Sequence, residues 1–201
     1  MTAALRDRQK DRLCSALAAV EPGAPTLCEG WDAHDLAVHL WVLKHDPASW
    51  PAMVLPPLRG VADERARRIR ERWPYAELVD RLRADPGEIA CMPGDAREGH
   101  RHALGEYYVH TVDVTRANDL PEDAPDAALQ EALWKRVRVA APALRFLNSP
   151  GLVLRRPTGE SARVGRPPAR PGTVVTGEPT ELMVWAYGRE DVATVSVELV
   201  S

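Results

Sequence analysis

The chain has 201 residues, of which 26 are basic and 29 acidic, giving a formal net charge of −3, and 45% of its residues are hydrophobic. This is the profile of a soluble globular protein long enough to bury a core. Its mild acidity, with a pI near 6.1, excludes the concentrated basic surface of a nonspecific nucleic-acid binder.

No run approaches the roughly 18 apolar residues that span a bilayer, and charges interrupt the stretch from Met1 to Leu13 where a signal peptide needs an apolar core. A cytoplasmic protein without membrane partners is therefore expected. Cys14, Cys28 and Cys91 are odd in number and form no CxxC pair, which favours reduced thiols over a disulfide framework or a thiolate zinc knuckle.

In chain order, Leu5, Leu13, Leu17 and Val20 recur at helical spacing, so Thr2 to Val20 reads as an amphipathic helix ended by Glu21-Pro22-Gly23-Ala24-Pro25. A second helix opens with Asp32 as N-cap, Asp35 at N3, and Trp31 and Leu36 as a hydrophobic staple; it continues to Asp46, where Pro47 stops it. Prolines 47, 51, 56 and 57 mark a loop, and Asp63 to Trp73, with arginines interleaved among acids, reads as a solvated helix face. Further helices are predicted over Pro74 to Ala84, His102 to Asn118, and Asp126 to Phe146, the last kinked at Pro142. From Gly151 the period changes: Leu152 to Leu154, Thr173 to Thr176 and Ala193 to Val200 read as strands, and Thr180 to Tyr187 as a short helix. The expected organisation is a helical bundle over 1–149 followed by a small α/β lobe over 150–201.

The histidines separate by helical angle, at about 100° per residue. In the second helix His39 lies about 60° from Leu36 on the Leu36-Leu40-Leu43 stripe, whereas His34 and His45 fall roughly opposite and are expected to face outward. In the helix after His102, Glu106, His110 and Asp113 share one stripe while apolar residues fill the remaining circumference. A buried carboxylate and imidazole need compensation, and residues at i and i+4 can reach one ion. His39, Glu106 and His110 therefore form a candidate His2Glu site for a divalent metal, most simply Zn2+, with an open fourth position of the catalytic kind. Asp113 is placed to orient the free ring nitrogen of His110. His102, at i−4 from Glu106, is held as an extra or alternative ligand, and a structural Glu–His hydrogen bond is the plain alternative. Cys28 is set aside as a small buried or interface residue, because seven helical residues, a rise of about 10 Å, separate Asp32 from His39. Trp41, Trp73 and Trp134 are read as packing residues.

The segments Thr26-Leu27-Cys28-Glu29-Gly30-Trp31-Asp32-Ala33-His34-Asp35-Leu36-Ala37-Val38-His39-Leu40 and Glu106-Tyr107-Tyr108-Val109-His110-Thr111-Val112-Asp113 resemble the mycothiol-dependent maleylpyruvate isomerase family, and more closely an actinobacterial branch of metal-binding proteins within it. The resemblance implies a mainly α fold, a DinB-like four-helix bundle followed by a small α/β C-terminal lobe that looks shorter than the family's. It also implies a zinc-type ion on His39, Glu106 and His110, and thiol chemistry in which mycothiol loses its proton at the open metal position and attacks an electrophilic substrate. A thiol transferase or isomerase is thus expected, with a small-molecule thiol and an electrophile as partners and the oligomeric state open. The alternative is a noncatalytic metal-binding sensor or carrier.

Overall fold

A computed structural model describes residues 2–49, 59–89, 99, 101–145, 151–164 and 172–200. Among these, the helices are α1 (Thr2–Ala18), α2 (Ala33–His45), α3 (Arg59–Arg72), α4 (Tyr75–Ala84), α5 (Arg101–Thr115), α6 (Ala127–Arg145) and α7 (Pro179–Ala186). The strands are β1 (Leu152–Arg155), β2 (Ser161–Arg163), β3 (Thr173–Thr176) and β4 (Ser196–Leu199). The fold is mainly α with a small C-terminal sheet, as expected. Among the described residues no helix is long and apolar enough to cross a membrane.

The chain forms two compact units, 1–122 and 123–201. In the first, α1 packs on α4 and α5, and α2 packs on α3 and α4. Leu13, Leu17, Leu36, Leu40, Leu78 and Tyr107 are almost fully buried between these helices, each contributing about 1.5–3 kcal/mol of transfer free energy. Buried hydroxyls are matched: Tyr75 Oη donates to the Leu17 carbonyl at 2.6 Å, and Tyr107 Oη to the Gly87 carbonyl at 2.9 Å.

The start of α2 follows its sequence signal. Asp32 Oδ1 accepts from the Asp35 amide at 2.8 Å while the Asp35 carboxylate reaches back to the Asp32 amide, a capping box. Two outcomes in this region differ from the expectations. His34 is buried at 9% exposure, with its ring edge-on to Tyr75 at 5.6 Å, because α2 has neighbours on more than one side and its back face is covered as well; His45 stays partly exposed and pairs with Asp85 at 2.9 Å. The arginines of α3 are also not all solvated. Arg70 bonds Asp32 and Asp35 at 2.7–2.9 Å, and Arg65 pairs with Asp46 just past the other end of α2, so α3 is tied to both ends of α2. Arg67 and Arg68 pair within their own helix with Glu64 and Glu71.

In the second unit α6 packs on α7, and the Asp126 carboxylate caps α6 by accepting from the Leu129 amide at 2.7 Å. The helix continues through Pro142 to Arg145. The sheet order is β2-β1-β3-β4, with β1 and β3 parallel (Leu152 opposite Thr173) and antiparallel pairs at both edges. β2 was absent from the sequence reading. It closes a hairpin through Gly159, whose φ of +92° suits glycine, and its mixed polar residues carry no alternation. The change of period near residue 150 thus marks where helix gives way to strand inside the second unit, while the compact units divide at 122/123. Pro51, Pro56, Pro57, Cys91 and His100 lie outside the described residues.

Asp32 caps α2 and grips Arg70, so Asp32→Ala is expected to lower stability by about 1–2 kcal/mol in urea unfolding at neutral pH. Burial alone would raise the Asp32 pKa, but the Arg70 hydrogen bond and the Asp35 amide outweigh it and hold the carboxyl below its ordinary 3.8. Its contribution is present above that value and lost as pH falls through the lower folded value. The wild-type and variant curves should converge in strong acid and stay parallel above about pH 5.

Candidate metal centre

Helix α5 sets His102, Glu106, His110 and Asp113 in a row, because residues three and four apart stack on one helix face. His102 Nε2 lies 3.5 Å from Glu106 Oε1, and His110 Nε2 lies 3.6 Å from Glu106 Oε2. His110 Nδ1 meets Asp113 Oδ2 at 2.8 Å. Asp113 is fully buried, His110 is 6% exposed, and the Glu106 side chain is 12% exposed. From α2, the His39 ring stands edge-on to the His110 ring with centroids 5.3 Å apart. The structure thus brings His39, Glu106 and His110 together: each offers one donor atom, and the three lie within 4.8 Å of one another.

The loop before α2 completes the arrangement. It is closed on itself by Ala33 N–H to the Ala24 carbonyl at 2.9 Å and Thr26 Oγ1–H to the Trp31 carbonyl at 2.9 Å, and Gly30 turns it at φ +77°. It is pinned to α5 by Leu27 N–H to the Asp113 carbonyl at 3.1 Å and by the Cys28 thiol, which donates to Asp113 Oδ2 at 3.2 Å. The same loop lays the Trp31 ring 4.9 Å from that of His39. Cys28 is half-buried against the core and outside the His39, Glu106 and His110 group, but the rise from Asp32 to His39 that set it aside counted only helix, whereas the loop folds back toward α5. Cys28, His110 and Asp113 form a second group whose donor atoms lie within 4.8 Å of one another. No sequence spacing across 85 positions could signal that contact. Tyr107 and Tyr108 are core residues, at 2% and 8% exposure.

The electrostatics are strongly coupled. Burial alone would raise the Glu106 carboxyl, but the His102 and His110 contacts outweigh it and hold it well below 4.5. Burial alone would lower His110, but Asp113, Cys28 and Glu106 hold it well above 6.5. Both directions favour the charged forms, the Glu106 carboxylate and the protonated His110 ring.

The donor set also fits a divalent ion. With ligand bonds of about 2.0–2.1 Å, two ligand atoms of a tetrahedral site lie ~3.3 Å apart. The 3.6 Å between His110 Nε2 and Glu106 Oε2 is close to that edge and longer than a good N–H···O hydrogen bond, about 2.7–3.2 Å. With Asp113 on Nδ1, a neutral His110 would keep its proton there and have the Nε2 lone pair free for an ion shared with Glu106. His102 sits on the other carboxylate oxygen and outside the three-donor group.

No protein-family model and no curated protein matches the sequence. Among solved structures, the crystal structure of the mycothiol-dependent maleylpyruvate isomerase superposes with a TM-score of 0.63 at 16% identity, covering 98% of this chain and 91% of that one. A histidine-to-alanine mutant of that isomerase superposes with a TM-score of 0.55 at 18% identity, covering 96% and 91%. The likeness shows a shared fold over nearly the whole chain.

Asp113→Ala would leave the His110 Nδ1–H and the Cys28 thiol without their acceptor, and should destabilise the metal-free protein by about 1–3 kcal/mol in denaturant unfolding. Cys28→Ala, which removes only a weak S–H donor, should cost less. Because His110 titrates above its ordinary 6.5 when folded, the stabilisation is fully present below that pH and is lost as pH rises through the folded value. A difference that grew with pH would contradict the assignment.

Proposed function

We propose that the chain holds a divalent metal ion, Zn2+ in our assignment, on His39, Glu106 and His110, and uses it as a mycothiol-dependent thiol transferase or isomerase. The observation that carries the reading is the three-donor cluster of two imidazoles and a carboxylate, with the far nitrogen of His110 already engaged by a buried Asp113. The choice of mycothiol as the thiol draws on the fold shared with a mycothiol-dependent enzyme.

Each residue has a distinct task. His39 and His110 offer neutral nitrogens and Glu106 a carboxylate oxygen, so three protein ligands leave a fourth position for an incoming group. Asp113 holds the His110 ring in one orientation and keeps its proton on Nδ1. Cys28 and the Leu27 amide hold Asp113 in turn. A bound ion would supply Lewis acidity, lowering the pKa of a thiol that reaches it so that a thiolate is available near neutral pH. A cavity reaching His39 favours an enzyme over a sealed storage or sensing site, since the ligand side chain is approachable by a small molecule. The setting we propose is cytoplasmic, where thiols stay reduced.

Purified without chelators, the protein should contain about one zinc per chain by elemental analysis. Asp113→Ala should lower zinc affinity about 10–100-fold, and His39→Ala with His110→Ala should abolish it together with mycothiol-dependent consumption of electrophiles. Because Asp113, Cys28 and Glu106 favour the protonated form of metal-free His110, zinc binding should release a proton, seen as a buffer-dependent calorimetric enthalpy, and tighten as pH rises. Full activity in the double variant would sink the enzyme reading. Stoichiometric zinc without thiol-dependent turnover would leave a metal carrier or sensor.

A further inference from the structure

Between α2 and α3 the first unit has a half-open cavity of about 690 Å3 lined in part by His39, within the range of small-molecule sites, about 300–1,000 Å3. Its two long walls are pairs of side chains one helical turn apart: Val38 and Val42 on α2, Ala62 and Ala66 on α3. Residues at i and i+4 stack along one helix face, so two such pairs in opposition frame a slot, and the two alanines leave its width unfilled. The Trp31 ring, 4.9 Å from that of His39, adds an aromatic surface to the lining.

The charges at the rim decide what enters. Arg67 and Arg70 line the cavity together with Asp35 and Asp63, two cations against two anions. Arg70 is already spanned by Asp32 and Asp35 at 2.7–2.9 Å, and Arg67 by Glu64 and Glu71. A ligand carboxylate would compete with the carboxylates already on these guanidinium groups and would face Asp35 and Asp63 as like charges, which costs affinity. An uncharged molecule meets no such opposition and gains from covering the apolar walls.

We infer that the slot between α2 and α3 is the binding site for an uncharged, flat, largely apolar molecule, which Trp31, Val38 and Ala66 grip and which is thereby presented to His39. The inference rests on the proposed thiol-transfer reading, within which it names the electrophile as a neutral aromatic or alkyl compound and excludes a dicarboxylate. Ala66 and Ala62 act as specificity-determining residues, because their small size keeps the slot open. Neither donates to the metal cluster.

The test compares two probes of one shape, dimethyl naphthalene-2,6-dicarboxylate and the corresponding dianion naphthalene-2,6-dicarboxylate, by equilibrium dialysis against the full-length protein with and without zinc. The ester should bind saturably in both states and at least about tenfold more tightly than the dianion, a difference of about 1.4 kcal/mol. Ala66→Trp, or Ala62→Trp should the first variant fold poorly, is expected to weaken ester binding by at least about tenfold while zinc uptake stays unchanged. Equal or tighter binding of the dianion, or ester binding untouched by both tryptophan variants, would overturn the inference. Zinc uptake and probe binding are read separately, so absent zinc with intact ester selectivity rejects the metal reading alone. Intact zinc with no ester selectivity rejects the slot alone.

Discussion

A buried carboxylate governs this structure. Asp113 is fully buried on α5 and is held by three groups from two parts of the chain: the His110 imidazole, the Cys28 thiol, and the Leu27 amide on its backbone carbonyl. An ionised carboxylate taken out of water without such partners would cost several kcal/mol, and the loop before α2 closes onto α5 beside it. That closure places Trp31 against His39 and sets the start of α2. The His110 ring is fixed by the same carboxylate, and its opposite nitrogen is left facing Glu106. A single desolvated group thus couples the packing of the first unit to the geometry of the donor cluster.

Much of this was legible in the sequence where one element carries the information. The capping box of Asp32 and Asp35 and the stripe of Glu106, His110 and Asp113 are properties of one helix, and 3.6-residue periodicity reports them. The inward turn of His39 came from the same geometry. Helical angle failed for His34, because angle measures position relative to one apolar stripe and is silent about a second neighbour, here Tyr75 of α4. It failed for Arg65 and Arg70 for a related reason: a charged residue on a wheel looks solvated until another helix brings a carboxylate to it. Cys28 was invisible because its partner is 85 positions away and a loop has no period. β2 is three residues long and polar, below what alternation can detect.

The fold and the site support the functional reading to different depths. A shared fold across 16–18% identity says how the chain is built, and folds host many chemistries. What links this chain to metal chemistry is local: two imidazoles and a carboxylate gathered within 4.8 Å, at spacings wide for hydrogen bonds and suited to a shared cation. The slot beside His39 is a separate matter of shape and charge. Its alanines and paired arginines belong to α3, which contributes nothing to the donor cluster. The slot thus draws one wall from α2, which also carries His39, and the other from α3.

The attachment of α3 has a further consequence. The inner wall of the slot, on α2, belongs to the packed apolar core, whereas its outer wall, which packs Ala66 and Ile69 against that core, is also fastened by Arg65 and Arg70 to carboxylates at the two ends of α2. Partly exposed ion pairs weaken as the Debye length shrinks from about 10 Å at 0.1 M salt to about 3 Å at 1 M, while apolar burial does not. Ionic strength therefore acts on one wall and spares the other. The slot is built as a fixed floor with an electrostatically latched cover.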